Sequence, residues 1–168
     1  KGFQRMAHLS PYPLPGGEAA IKEPLRILAA LLASDDELSP EFMPLFPARE
    51  RHCALWLETV RRGLNSPMTS SAGRLFDAVA AAAGFVRPVT FEGEAAMWLE
   101  GLSDEREKAA YEVAMTDTIP FVVDSSSLAR QVARDVLSGA SPRTVAAKFH
   151  NTMAAVIAEI VTRMSATT

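Results

Sequence analysis

The sequence predicts a mainly α-helical fold with a few short strands. Apolar residues recur every three or four positions along most of the 168-residue chain, which is the spacing of one helix face. The period breaks near the start and around residues 115–123, where β-branched and aromatic residues favour short strands. No internal repeat, low-complexity segment or block of like charge divides the chain. We therefore expect residues 1–168 to form a single unit.

The first half begins with a short strand and continues as helices. The stretch "GFQRMAHLSPYPLP" alternates imperfectly and ends in prolines, which predicts a strand followed by an extended loop. The stretch "GGEAAIKEPLRILAALLAS" predicts one helix with Pro24 in its first turns, where a missing N–H costs little. A second helix is predicted over residues 48–62, ending at Gly63. The alanine-rich "LFDAVAAAAGF" predicts a third, beginning near Ser71 and ending at Gly84.

The second half repeats this pattern. The stretches "EGEAAMWLEGLS" and "DEREKAAYEV" predict two short helices, the second capped by Ser103 or Asp104. The stretch "YEVAMTDTIPFVVDSS" predicts two short strands joined by a turn. Further helices are predicted from Ser126 to Gly139 and from Ser141 to about Met164. The last helix has one apolar face that we expect to be buried, formed by Val145, Phe149, Met153, Val156, Ile160 and Met164.

Composition excludes several classes of partner. A formal net charge of -3 argues against non-specific nucleic-acid binding, which needs a dense basic surface. No apolar run reaches the roughly 18 residues that span a bilayer, and the first residues lack the apolar core of a signal peptide. The lone Cys53 cannot form an internal disulfide and lies in a helical pattern that predicts burial. We therefore expect a cytoplasmic protein without nucleic-acid or membrane partners.

Patterns typical of catalytic and metal sites are sparse. His8, His52 and His150 are far apart and show no HxxxH or HExxH spacing, so no metal site is predicted. The stretch "SSAG" differs from the GxSxG pattern of serine hydrolases, and no His and Asp can be assigned as its partners. Most acidic residues lie on predicted helix faces that are typical of solvated surface. The sequence therefore predicts no catalytic residue.

Two loops rich in small residues each have two interpretations. The stretch "LNSPMTSSAGR" precedes the alanine-rich helix, whose free N–H groups and dipole suit a phosphate or carboxylate, although an ordinary capped helix end has the same composition. In "LPGGEAAIKEP", two glycines permit positive φ and a close approach of the backbone to a phosphate or adenosine group. A simple turn into a helix explains the glycines equally well. Both alternatives remain open at this level.

Three segments, taken in order, carry a resemblance to a known family. The segments "LPGGEAAIKEPLRILAALL", "LNSPMTSSAGRLFDAVAAAAG" with the following "TFEGEAAMWLE", and "VAAKFHNTMAAVIAEIV" resemble successive segments of the HypF carbamoyltransferases, which act in [NiFe] hydrogenase maturation. The resemblance extends from Pro11 to about Val161. Its most specific part is the run of small polar residues followed by "GRLFDA".

The resemblance implies a fold and a reaction. In that family these segments belong to a Kae1-like domain of the actin-like ATPase superfamily, so this chain is expected to be the helical part of its second lobe. The implied substrates are ATP and carbamoyl phosphate, which react through carbamoyl-adenylate. The carbamoyl group then passes to the C-terminal cysteine of a partner, HypE, as the source of the cyanide ligands of iron. The implied nucleotide and carbamoyl-adenylate contacts are Gly16, Gly17, Glu18, Ser70, Ser71, Gly73 and Arg74.

Some of the residue roles that the resemblance implies have alternatives. Related threonylcarbamoyl-transferring proteins tend to carry an acid four residues beyond the second glycine, where this chain has Ile21. The alternatives are that Glu18 or Lys22 substitutes for it, or that the ribose is held otherwise. Arg74 and Asp77, one turn apart, are either ligands or a structural ion pair. For His150 and Asn151, in "KFHNT", we expect a buried hydrogen-bonding role and not catalysis.

The resemblance also implies a larger parent protein. Members of the family carry an acylphosphatase-like domain, zinc fingers, a YrdC-like domain that makes the adenylate, and an upstream histidine motif for a cleft metal. We expect the present chain to be a partial Kae1-like domain that folds but is inactive alone, with zinc and the cleft metal bound only elsewhere in the parent. Two alternatives are a stand-alone helical interaction module and another carbamoyl or threonylcarbamoyl transferase of the same superfamily.

Overall fold

A computed structural model describes Gly2, residues 4–35 and residues 37–166. Of Ala166, only the backbone is described. Lys1 and Phe3, at the start of the predicted N-terminal strand, lie outside the described residues. The described part of the chain forms a 3₁₀ helix over Pro40–Leu45 and seven α-helices: α1 (Glu18–Lys22), α2 (Leu25–Leu32), α3 (Glu50–Arg61), α4 (Ala72–Ala82), α5 (Glu94–Leu102), α6 (Ser125–Leu137) and α7 (Pro142–Ala166).

Three small two-stranded sheets lie between the helices. Their strands are β1 (Ala7–Leu9), β2 (Tyr12–Pro13), β3 (Ala33–Ser34), β4 (Glu37–Leu38), β5 (Met68–Thr69) and β6 (Phe121–Val123). Strand β1 pairs with β6 in parallel, β2 with β5 antiparallel, and β3 with β4 antiparallel. In the β2–β5 pair, Tyr12 lies opposite Thr69. This pair connects the loop before α1 to the segment that leads into α4.

The core forms around α4, because its alanines let neighbouring helices approach closely. Ala78, Val79 and Ala80 are all buried. Helices α2, α5, α6 and α7 each contact α4. Small side chains keep these interfaces close-packed without large voids. The start of α4 differs, since Ser71 and Gly73 are exposed. This largely buried helix therefore has its N-terminal end at the surface.

The predicted apolar face of the last helix is confirmed. Val145 and Phe149 have no exposed surface, and Met153, Val156 and Ile160 are partly buried against the core. The ring of Phe149 meets that of Phe76 edge to face, with 4.8 Å between centroids. Helix α7 is thus fixed to α4 by its N-terminal half.

The single helix predicted across Pro24 is wrong. The structure has two helices, α1 and α2, which are separated at Glu23 and Pro24. Glu23 has φ -126° and ψ 84°, in agreement with the steric restriction on a residue that precedes proline. Its carboxylate accepts hydrogen bonds from Arg26 Nε at 2.8 Å and from Arg49 Nη1 at 2.6 Å. These two contacts stabilise the break.

The helix predicted after Ser103 is also absent: residues 103–114 contain a turn and then extended chain. Side chains of α7 bind the backbone of this segment. Asn151 Nδ2 donates to the carbonyls of Glu107 and Ala109, and Thr152 Oγ1 accepts from Tyr111 N at 2.8 Å. These bonds replace the intrahelical ones that the local sequence favours.

The predicted pair of strands around "TDTIP" is only partly correct. Residues Phe121–Val123 form β6, but the preceding segment contributes a single antiparallel bridge at Met115 and no strand. The partner of β6 is instead β1, at the other end of the sequence. Local patterns do not reveal such a long-range pairing.

Candidate functional site

Three segments of the chain meet at a cavity of about 630 Å³ beside the start of α4. The first runs from the β2–α1 loop into α1, the second from β5 into α4, and the third is the loop before α5. The residues that line the cavity are Leu14, Glu18, Ile21, Lys22, Thr69, Ser71, Arg74, Asp77, Val89, Thr90, Phe91, Glu92 and Gly93. Small residues in the sequence indicate the first and second of these segments as candidate binding loops, and the structure brings these two together.

The start of α4 is capped as predicted. Ser71 is the N-cap, and its Oγ accepts a long hydrogen bond, 3.4 Å, from Arg74 N. Thr69 Oγ1 accepts from Ser71 N at 3.1 Å, and Tyr12 Oη donates to the Ser71 carbonyl at 2.6 Å. The first N–H groups of a helix have no partner within it, and the positive end of its dipole lies there. Ser71 therefore presents a fixed helix start at the cavity.

Arg74 and Asp77 form a buried ion pair that faces the cavity. Arg74 Nη1 lies 3.1 Å from Asp77 Oδ2, and the two side chains are 14% and 3% exposed. Burial raises the pKa of Asp77, and the neighbouring Arg74 partly opposes this rise. Burial likewise raises the pKa of the Tyr12 phenol beyond its ordinary range. Of the two alternatives for Arg74 and Asp77, the structure has the ion pair.

The two glycines of the "PGG" turn do not line the cavity. Gly16 and Gly17 have φ values of 84° and 58°, which favour glycine. A Cβ on Gly17 would lie 2.8 Å from Asn65 Oδ1, too close without a shift. The turn itself therefore requires glycine, whether or not a ligand approaches. Glu18, the next residue, does line the cavity.

Ser70 and Gly73 lie beside the cavity without lining it. Gly73 is exposed in the first turn of α4, and a Cβ there would meet Ser71 Oγ at an ordinary contact distance of 3.7 Å. Of the seven predicted contacts, Glu18, Ser71 and Arg74 line the cavity. Of the other four, Gly17, Ser70 and Gly73 are immediate chain neighbours of these three, and Gly16 lies two residues before Glu18.

The sequence did not predict any residue of the loop 89–93 as part of the site, although "TFEGEAA" contributed to the family resemblance. Val89 N donates to the Lys22 carbonyl at 2.9 Å, which joins the loop to α1. The Glu94 carboxylate accepts from Thr90 N at 2.5 Å and from Thr90 Oγ1 at 2.9 Å, and it pairs with Arg87. The hydrogen bond from Thr90 N is the main reason that the pKa of Glu94 is lowered. Glu94 thus fixes the loop at the edge of the cavity.

The remaining candidate residues have structural roles. His150 Nδ1 lies 2.7 Å from the Ala146 carbonyl, and its ring contacts Phe76 edge to face. Together with the Asn151 bonds described above, this confirms the hydrogen bonding expected for the pair, although both side chains are only partly buried. Cys53 is buried, and burial raises the pKa of its thiol to about 11, so it is protonated at neutral pH.

Within residues 2, 4–35 and 37–166, no group of three or more His, Cys, Asp or Glu side chains is placed to hold a metal ion. Among the helices described above, none is both long enough and apolar enough to cross a membrane.

Comparison with known proteins defines the class. A family model described as "Carbamoyltransferase, Kae1-like Domain, second subdomain" matches residues 1–168. The chain superimposes on the crystal structure of a full-length HypF in a phosphate- and nucleotide-bound form, with a TM-score of 0.89 and 32% identity over 100% of this chain. The T. kodakarensis HypF structure gives a TM-score of 0.68 and 27% identity over 85% of this chain. The fold is therefore that of the second subdomain of a Kae1-like domain.

Curated relatives agree. The HypF carbamoyltransferase of Rhodobacter capsulatus is 50% identical over 61% of this chain, and that of Synechocystis sp. is 32% identical over 94% of it. The chain belongs to the HypF carbamoyltransferase family. It spans 14% of the Rhodobacter protein, 23% of the Synechocystis protein and 26% of the full-length HypF in the crystal structure.

Proposed function

We propose that this chain forms one wall of the nucleotide site of a HypF-type carbamoyltransferase. The parent enzyme would use carbamoyl phosphate, water and ATP to make carbamoyl-adenylate, with release of phosphate and pyrophosphate, and would then carbamoylate the C-terminal cysteine of HypE. In that transfer the cysteine sulfur bonds to the carbamoyl carbon, the bond from this carbon to the AMP phosphate oxygen breaks, and the thiol proton is released. The observation that carries the proposal is the meeting of three segments at one cavity.

The polar groups at this cavity suit a nucleotide. The α4 start and Ser71 offer hydrogen-bond donors and a positive dipole for phosphate oxygens, as helix starts do in other phosphate sites. Lys22 is exposed at the same cavity and adds a positive charge. Glu18 lines the same cavity, and on this proposal its carboxylate accepts hydrogen bonds from ribose hydroxyls, in place of the acid that related threonylcarbamoyl-transferring proteins carry at the position of Ile21. The related HypF structure is described as phosphate- and nucleotide-bound, which supports this assignment.

On the same proposal, catalytic turnover requires the other domains of the parent protein. The cavity provides binding groups, and Cys53, with its raised pKa, lies outside it. On this proposal, zinc and the cleft metal are held by other domains, and the isolated chain releases neither AMP nor pyrophosphate from ATP.

Substitutions at the helix start test this assignment in the full-length protein. Ser71→Asp keeps a good N-cap, so the melting temperature should be retained, but its charge opposes a phosphate at the same place. Gly73→Val adds a side chain beside Ser71 with room to fit in the unliganded fold. We expect each to lower ATP-dependent carbamoyl transfer to HypE by about tenfold or more, which corresponds to about 1.4 kcal/mol.

Matched controls carry the same changes away from the cavity. Ser141 accepts a hydrogen bond from Thr144 N at the start of α7, so Ser141→Asp places the same charge at another helix start. Gly101→Val adds a side chain to a helical glycine with open space around it. Both should transfer at the wild-type rate. Wild-type transfer by Ser71→Asp and Gly73→Val as well would refute the assignment and leave this stretch as a helix cap.

A further inference from the structure

The cavity has an apolar wall that phosphate binding does not use. Phe91 and Ile21 are 53% and 36% exposed, and both line this cavity together with Val89 and Leu14. Exposed aromatic rings that line a cavity with polar groups are typical of ligand sites, where they bury a flat apolar surface of the ligand. The ring of Phe91 is not part of the hydrophobic core.

The loop that carries Phe91 is held in place on both sides. The bond from Val89 N to the Lys22 carbonyl joins it to α1, one residue after Ile21. Glu94 holds Thr90 through its backbone N–H and its hydroxyl. Phe91 and Ile21 of the apolar wall thus come from two segments that are connected directly by a hydrogen bond. A preorganised wall of this kind loses little conformational entropy when a ligand binds.

We propose that Phe91 stacks on the base of the nucleotide and is a base-binding residue of this site, with Ile21 extending the same apolar surface. This inference rests on the proposed function, since it takes the nucleotide as the occupant. The polar α4 start and the apolar wall face one cavity, as the phosphate and base portions of one nucleotide require. Every nucleobase has a π-face on which an aromatic side chain stacks, and loss of one such contact weakens binding by about tenfold.

The Phe91→Trp variant places a fluorescent reporter in this loop. In the full-length protein, this variant should show fluorescence quenching on titration with ATP and no quenching with inorganic tripolyphosphate, which lacks the base. Trp56 and Trp98 of this chain lie outside the cavity, and the wild-type titration subtracts the signal of all native tryptophans. An absence of quenching by ATP, or equal quenching by both compounds, would contradict stacking.

Kinetics provide the second readout. Phe91→Ala should raise the KM for ATP in carbamoyl transfer by about tenfold with little change in kcat. Phe91→Leu, which is apolar without a ring, should resemble Phe91→Ala, whereas Phe91→Tyr should retain the wild-type KM. Val86→Ala is the matched control, because Val86 is 53% exposed in the same connection and does not line the cavity. A wild-type KM for Phe91→Ala, or full rescue by leucine, would overturn the proposal.

The two proposals fail in different ways. If ATP quenches the fluorescence of the Phe91→Trp variant and adding Ser71→Asp does not weaken that quenching, the base contact holds and the phosphate position at α4 is wrong. If Ser71→Asp abolishes transfer and the fluorescence of the Phe91→Trp variant does not respond to ATP, the phosphate position holds and the base contact is wrong.

Discussion

Replacing Phe149 with alanine is expected to lower the free energy of unfolding by about 3–5 kcal/mol. The side chain has no exposed surface, and its ring packs edge to face on Phe76 of α4. Truncation removes this aromatic contact and leaves a cavity where α7 meets the core. Because small proteins are stable by only about 5–15 kcal/mol, this loss is a large fraction of the total. Urea unfolding of the wild type and the variant measures it.

Ile157→Ala on the same helix is the control. Ile157 is 59% exposed, so its truncation should change the free energy of unfolding by less than about 0.5 kcal/mol. Equal effects of the two substitutions, or a change near zero for Phe149→Ala, would show that the Phe149 side of α7 is not the buried one.

Replacing Arg74 with methionine should destabilise the protein by about 3 kcal/mol near neutral pH, because it leaves the buried Asp77 without its counter-charge. Burial already raises the pKa of Asp77, and removal of Arg74 should raise it further. A carboxyl with a raised pKa in the folded state costs stability as the pH rises through that pKa, and the cost is absent below the unfolded pKa of about 3.9. The loss should therefore shrink as the pH falls from about 7 towards 4.

Two variants complete this experiment, with melting temperature against pH as the readout. Adding Asp77→Asn to Arg74→Met removes the unpaired charge and should recover part of the loss at neutral pH. Arg62→Met breaks an ion pair with Glu58 in which Arg62 is 62% exposed, and it should cost less than about 1 kcal/mol. A loss for Arg74→Met that is the same at every pH would contradict the electrostatic explanation.

The sequence predicts those elements whose causes are local. The start of α4 at Ser71 follows from small polar residues before an apolar run, and the buried face of α7 follows from its spacing. The helix expected after Ser103 has equally good local signals, but Asn151 and Thr152 bind its backbone from another helix. No local pattern reveals which segment such side chains will meet.

In the candidate site, too, the sequence predicted the residues whose signals are local and missed one that depends on a long-range contact. Glu18, Ser71 and Arg74 were predicted because loop composition and the family resemblance both indicate their segments. Phe91 was not predicted as a site residue, since its position depends on a bond between Val89 and Lys22, far apart in sequence. At Gly17 the structure explains a residue for which the sequence left two interpretations. The positive φ of Gly17 and its approach to Asn65 account for the glycine without a ligand.

A crystal structure of the full-length protein with a non-hydrolysable ATP analogue and carbamoyl phosphate tests the nucleotide assignment most directly. We predict phosphate oxygens within about 3 Å of Ser71 Oγ or of the first backbone N–H groups of α4, a hydrogen-bond distance, with the base against Phe91. Nucleotide bound elsewhere in the protein, with the cavity between α1, the α4 start and residues 89–93 left without it, would contradict the assignment.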